Sequence, residues 1–373
     1  MMKKQTLKHA DFFQIMDQWA PKSLAYTWDN VGLQVGRFHD TTSNILVTLD
    51  VTEEVIDEAI EKQANLIIAH HPLLFQPLKQ INVDHPKGRV VQKLLKNDIS
   101  VFAAHTNLDV AEGGVNDLIS EAIGLTKREA LEVLDHEALY KCVVFVPDSH
   151  TEELREAFNN GGAGQIGDYS HCTFQSAGEG TFRPLEGSTP YIGEQNELTY
   201  VSEKKLEAIV PKKNLTNVIQ AILTAHPYEE PAYDIYPLEN KGKAIGIGRF
   251  GVLSQPVPMK EFIQSVKESL DMPAVRVSGN IEKNVKRVAV LGGSGEKYIG
   301  HALRKKADVY ITGDMTFHAA QDAEQMGLTV IDAGHYIEKI MKTATQQKLV
   351  QNIHAFKSNI FVSQVNTDPF VFV

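Results

Sequence analysis

The chain has 373 residues, 43% hydrophobic and 23% charged. That is the balance of a soluble folded protein, and a length beyond what one hydrophobic core usually supports, so two or three domains are expected. The formal net charge is −10, with no Lys/Arg run to offer a basic stripe, so nucleic-acid binding is not expected. A small anionic substrate stays open, because a bound metal reverses a local field.

Two cysteines, Cys142 and Cys172, are too few and too far apart for a zinc ribbon or a disulfide framework, and are read as reduced. The N-terminal MMKKQTLKHADFF has no apolar core long enough for a signal peptide. No stretch approaches the roughly 18 apolar residues of a membrane span. A cytoplasmic protein is expected.

In chain order, residues 8–20 carry Phe12, Phe13, Ile15, Met16 and Trp19 at helical spacing, and Pro21 ends the run. Residues 44–49 (NILVTL) read as a buried strand. Residues 52–63 read as a helix with a Thr52 N-cap and acids in its first turn. A strand at 64–69, a helix at 88–97 and a strand at 99–104 continue a rhythm that implies a parallel or mixed sheet covered by helices. The last third repeats it, with strands at 287–291, 307–312 and 328–332 and helices at 296–306 and 317–326. This weak internal repeat of pattern suggests two similar α/β halves about a pseudo-twofold, sharing a cleft and forming one metal-binding domain.

The middle differs. A strand at 140–146, a helix at 151–159, a Gly-rich polar stretch at 161–193 with short strand signals, a strand at 206–210, a helix at 215–225 and a strand at 232–237 give the order β-α-β-β-α-β. That order fits a ferredoxin-like α+β insert. The expected domains are 1–130 and 246–373 as the two halves, with 131–245 as the insert.

The chemistry gathers at strand ends, where open α/β sheets place their sites. After the strand Ile67-Ile68-Ala69 come His70, His71 and Pro72. Adjacent strand residues face opposite ways, so the two rings converge only if the strand ends there, as Pro72 favours. The alternative is a pair of surface or hydrogen-bonded histidines. The next strand runs into His105-Thr106-Asn107-Leu108-Asp109, where Asp109 reads as a ligand or as a turn aspartate. A third strand runs into Gly334-His335-Tyr336-Ile337-Glu338, followed by a helix that places His335 and Glu338 on one face. Glu338 also suits a helix N-terminus on electrostatic grounds alone.

Three such clusters together point to a metal site made by His70, His71, Asp109, His335 and Glu338. Imidazole with carboxylate suits zinc, iron or nickel. Three histidines and two carboxylates exceed the needs of one tetrahedral ion, so two divalent ions are expected, with zinc or iron preferred. His105, not needed for coordination, is the expected proton-transfer or ligand-orienting residue.

Other features read less specifically. Gly292-Gly293-Ser294-Gly295 is a strand-to-helix turn or a phosphate cradle, without the Lys-Ser/Thr ending of a P-loop. Asp314 and His318 are either supports for metal ligands or a capping Asp and an exposed His. Trp28-Asp29-Asn30-Val31-Gly32-Leu33 reads as a tight loop with an aromatic anchor and no assigned chemistry. His226-Pro227-Tyr228-Glu229-Glu230-Pro231 reads as a rigid connection in the insert, with an interface or regulatory role.

With these residues in view, the chain resembles the GTP cyclohydrolase I type 2 homologue family, also called the Nif3-like family. The matching stretches are WDNVGLQVG, AHHPLLF, AAHTNLDVAEGGVND and GHYIEK, with GGSG and TGD in the C-terminal half. HPYEEPAYDIYPL is similar to the CutA-like or PII-like insert of the longer bacterial members. The resemblance implies a dinuclear metal site on His70, His71, Asp109, His335 and Glu338, with Glu338 and Asp109 as the bridging carboxylates, and a homohexameric ring. Some members space the last pair one residue wider than the three found here. The family name implies attack on the imidazole ring of GTP. The residues themselves support metal-assisted hydrolysis of a nucleotide, phosphoester or amide. A non-enzymatic metal-binding or regulatory ring is the rival reading.

Overall fold

A computed structural model of the chain describes residues 7–353, 356 and 359–373. Residues 1–6, part of the segment inspected for a leader, lie outside them. The chain forms two compact units, one of Met1–Leu134 with Gly246–Val373 and one of Asp135–Ile245.

The first unit holds two mixed sheets. One has five strands in the order Gly32–Val35, Ser100–Ala103, Leu66–Ala69, Ile45–Thr48, Ile360–Val362. The first pairs antiparallel with its neighbour, and the other three pairings are parallel. The strands at 45–48, 66–69 and 100–103 are buried throughout, as expected of parallel strands covered on both faces. Ile45, Val47, Leu66 and Ile68 face one core. Leu46, Ile67 and Val101 face another, closed by Val55, Ile56, Val90 and Leu94 of the helices Glu53–Glu61 and Pro86–Lys96. Thr52 caps the first of these helices, accepting from the Val55 N–H at 3.3 Å.

The second sheet has six strands, in the order Arg276–Ser278, Thr329–Asp332, Val309–Gly313, Asn284–Ser294, Ala244–Pro258, Thr126–His136. Its central pairings, Asn284–Ser294 with Val309–Gly313 and Val309–Gly313 with Thr329–Asp332, are parallel. The core that takes Ile45 and Ile68 from the first sheet also takes Val290, Ile311 and Ile331 from the second, so the two sheets share one apolar interior.

The second unit has the element order β-α-β-β-α-β and a wholly antiparallel sheet, Thr173–Phe182, Thr199–Pro211, Leu139–Pro147, Tyr233–Leu238. Cys142, Val144, Val146, Leu206, Ala208 and Val210 form one face. That face packs on Leu154 and Phe158 of the helix Thr151–Asn160 and on Val218 and Ile222 of Leu215–Ala225. Within the stretch read as broken by short strands lies a ten-residue strand, Thr173–Phe182, paired antiparallel along its whole length with residues 199–208. Cys142 and Cys172 are free thiols.

Among the described residues no helix is long and apolar enough to cross a membrane.

Candidate metal centre

Each expected residue sits at the end of a strand or just beyond it. His70 and His71 follow Leu66–Ala69, and their backbone N–H groups still donate to Thr48 O (3.3 Å) and Leu49 O (3.0 Å) of the neighbouring strand. Their ring centroids are 5.1 Å apart. His105 follows Ser100–Ala103 and opens a short helix, Thr106–Val110, that carries Asp109. From the second sheet, Thr329–Asp332 leads to Gly334, whose φ of +76 turns the chain. The segment His335–Ile340 is a 3-10 helix, and the α-helix starts only at Met341. A 3-10 helix has three residues per turn, so side chains at i and i+3 eclipse. His335 and Glu338 are thereby set one above the other, more directly than on the α-helix expected from sequence.

These side chains converge. Glu338 Oε2 lies 3.0 Å from His71 Nε2, 3.2 Å from His335 Nε2 and 3.6 Å from His70 Nε2. Asp109 Oδ1 is 3.5 Å from His70 Nε2. Three overlapping sets have ligand atoms within 4.8 Å of one another: His70, His71 and His105; His71, His335 and Glu338; His70, Asp109 and Glu338.

The four imidazoles are oriented alike. His70 Nδ1 meets Ala104 O at 2.8 Å, His71 Nδ1 meets Asp50 Oδ1 at 2.6 Å, His105 Nδ1 meets Asp29 Oδ1 at 2.9 Å and His335 Nδ1 meets Asp314 Oδ2 at 2.6 Å. An oxygen acceptor at each Nδ1 places the proton there and leaves Nε2 free to ligate, the arrangement that fixes metal-binding histidines.

Charge in the cluster is balanced by protons. Burial pushes His70 down to about 3, against the attraction of Glu338, so it is neutral. Burial also opposes charge on His71, but hydrogen bonds with Asp50 and Glu338 outweigh it and lift the group to about 10. In His335 the same opposition is overcome by Glu338 and Asp314, to about 9. Burial and the negative Glu338 raise Asp109 well above the carboxylate range. Glu338, despite burial, is held well below that range by His335 and His71. Protons thus occupy the positions where a cation would sit, and a divalent ion would replace them.

The donor set fits a metal. Among the described residues, His70 Nε2 and Asp109 Oδ1 are buried without a hydrogen-bond partner, an arrangement that is costly unless something fills the gap. Imidazole nitrogen and carboxylate oxygen are the ligands that zinc and iron prefer.

Several contributors were not read from sequence. Asp29 of the WDN segment holds His105 by one carboxylate oxygen, and by the other accepts the Thr106 N–H (3.1 Å) and hydroxyl (2.5 Å). Burial works against Asp29, yet His105 and Thr106 hold it down at about 2. Asp50 lies just past the strand Ile45–Thr48, so the strand-end rule applied to that strand would have found it. Asn116 spans the two sheets: its Nδ2 donates to Asp109 O (3.0 Å) and its Oδ1 accepts the Gly292 N–H (2.9 Å). Gly292 and Gly293 leave room for Glu338. A Cβ on Gly293, at φ +64, would stand 2.7 Å from Glu338 Oε1. Of the two residues left open, Asp314 supports His335, while His318 is exposed and stacks edge-on against Phe317.

Comparison with known proteins agrees with this architecture. The chain is 52% identical over 362 residues to the GTP cyclohydrolase 1 type 2 homolog of Bacillus subtilis, covering 96% of this chain and 97% of that one. It is 48% identical over 362 residues to the protein of that name from Halalkalibacterium halodurans, with the same coverage. A crystal structure of a Bacillus cereus protein related to NIF3 superposes with a TM-score of 0.92 at 48% identity, covering 99% of this chain and all, 100%, of that one. The sequence profile of Duf34/NIF3 (NGG1p interacting factor 3) matches residues 7–369. The chain belongs to the Duf34/NIF3 family.

Proposed function

We propose that this protein is a metal-dependent hydrolase whose centre holds two divalent ions, zinc or iron, on His70, His71, Asp109, His335 and Glu338. The observation that carries the reading is the convergence of Nε2 and carboxylate atoms, held at the ends of strands from two sheets, around two buried atoms, His70 Nε2 and Asp109 Oδ1, that have no hydrogen-bond partner among the described residues. When bound, such ions polarise a substrate oxygen and lower the pKa of water toward neutrality.

The chain's own groups supply the rest. Glu338, reached by three imidazoles, is the shared carboxylate. His105, with Nδ1–H held by Asp29, offers Nε2 to take or return a proton. Its ring lies beside Trp28 and Phe75, at centroid distances of 6.4 and 6.2 Å. Both of those rings are exposed and stand edge to face at 68°, and a nucleobase can stack on an aromatic face of this kind. This favours a nucleotide or related small substrate, GTP being the one that the relatives' name suggests.

The deep burial of His70 and Glu338 favours a second reading, a non-enzymatic metal-binding or regulatory ring, because a site closed by protein ligands stores or stabilises rather than reacts. Under either reading we assign 1–130 and 246–373 as two related halves of one metal-binding domain and 131–245 as a ferredoxin-like insert. The assembly is a homohexamer in the cytoplasm.

Metal content per chain on freshly purified protein, followed by a GTP hydrolysis assay, tests this. Two ions per chain, with turnover that disappears in Asp109→Ala, supports the hydrolase. Two ions without turnover on GTP or on a wider nucleotide and phosphoester panel supports the ring. No metal on purification or reconstitution overturns both.

A further inference from the structure

A cavity in the second unit, about 640 Å³, shares no residue with the metal centre. It lies on the sheet face opposite the helices, where Phe145, Lys205 and Ser176 stand in register across three strands and Glu203 stands opposite Gly178. The size is that of a small-molecule site.

Its polar anchor is Glu203, only 8% exposed. Glu203 Oε1 accepts the Tyr228 hydroxyl at 3.0 Å. Oε2 accepts no hydrogen bond among the described residues, and lies where a Cβ on Gly180 would stand 2.2 Å away. The absence of side chains at Gly178 and Gly180 is therefore what opens the space over this carboxylate.

Tyr228 is aimed by the His226-Pro227-Tyr228 segment. His226 Nε2 donates to Phe145 O (2.8 Å), and its Nδ1 accepts the Tyr228 N–H (3.1 Å), so both ring nitrogens are committed. Phe182 and Tyr191 pack around Tyr228, with ring centroids 5.7 and 6.3 Å from it. The remaining charges in the lining are Glu179, Glu229, Glu230 and Lys205. Lys205 Nζ is paired with Glu207 at 3.3 Å, so the cavity is electronegative. A recessed carboxylate within a group of aromatic rings is complementary to a cation that carries an apolar body.

We infer that this cavity is a binding site for a small organic cation, an ammonium group on an apolar or aromatic body. The ammonium meets Glu203 Oε2, and the body lies against Phe182, Tyr191 and Tyr228.

The test uses the full chain and two near-isosteric probes, 2-phenylethylamine and 2-phenylethanol, titrated by calorimetry near neutral pH. The amine should bind at least tenfold more tightly than the alcohol. Glu203→Gln keeps an acceptor for Tyr228 and should bring the two probes within about threefold of each other, since only the charge is lost. Gly178→Leu provides an independent arm: a Cβ there meets nothing within 4 Å, so the new side chain enters the cavity without displacing Glu203. It should abolish amine binding while thermal unfolding is unchanged. Equal affinity for both probes, no binding of the amine, or an amine preference that survives Glu203→Gln would each overturn the assignment.

Discussion

Replacing Asn116 with alanine tests whether the two sheets are coupled at the metal centre. Asn116 is 1% exposed and makes one hydrogen bond to the Asp109 carbonyl and one from the Gly292 N–H. Alanine removes both and leaves a buried acceptor and a buried donor unpaired. At about 1–3 kcal/mol for each of the two orphaned groups, the loss is about 2–6 kcal/mol, reduced by a few tenths because alanine suits the helix Val115–Ala122 better. That is a large fraction of a typical domain's stability of about 5–15 kcal/mol. The assay is urea unfolding of metal-free protein, paired with metal titration of the folded variant. Stability should fall by the stated amount, and metal affinity should fall with it, because Asp109 and the glycines beside Glu338 are no longer tied together. A loss below about 1 kcal/mol, or full metal affinity in a clearly destabilised variant, would refute the coupling.

Three further outcomes are expected. Asp50→Asn removes the charged acceptor at His71 Nδ1 and should weaken metal binding by about 10–100-fold, with little change in fold by circular dichroism; unchanged affinity would count against this support. Gly293→Ala should cost about 1–2 kcal/mol for its left-handed backbone and also displace Glu338. Gly327→Ala, at φ +82 with open space around it, carries only the backbone part, so metal content should drop in the first variant and not in the second.

Asp117→Asn breaks a buried fork, with Asp117 Oδ1 2.5 Å from Arg249 Nε and Oδ2 2.8 Å from Nη2. It should cost about 3–5 kcal/mol by stranding the guanidinium. Burial opposes the Asp117 charge, but Arg249 holds its pKa below the usual value. The stabilisation is therefore complete above the unfolded pKa, about 3.9, and is lost as pH falls through the lower folded one. The urea midpoint of the wild type should show that step on acidification, and the variant should lack it.

The strand-end histidines were legible because a buried aliphatic run that stops at a polar cluster is a local pattern. The same holds for Thr52 as a cap and for the helix Leu215–Ala225. The supporting acids were harder to read. Asp29 is 76 positions from His105, and nothing in the loop's own sequence signals that separation being closed in space. The edge strand Thr126–His136 (TKREALEVLDH) is rich in helix formers. Pairing within the six-stranded sheet overrides that propensity. Thr173–Phe182 (TFQSAGEGTF) lacks an aliphatic alternation, since much of it is exposed and its glycines line a cavity. The start of the segment after Gly334 was read as α-helix because periods of three and 3.6 are indistinguishable over one turn.

The strand Ile360–Val362 pairs in parallel with residues 45–47, so the five-stranded sheet is completed by residues 315 positions further along the chain (360 − 45). A ribosome adding about 5–20 residues per second needs tens of seconds to travel between those two segments. Throughout that interval the strand Ile45–Thr48 has an unsatisfied edge, and His70, His71 and Asp109 wait for His335 and Glu338. Assembly of the centre thus waits for translation through Glu338, long after His70 and His71 have been added. Nascent chains stalled before residue 335 would lack two of the five ligands, His335 and Glu338, and carry an open sheet, which makes them natural clients for chaperones.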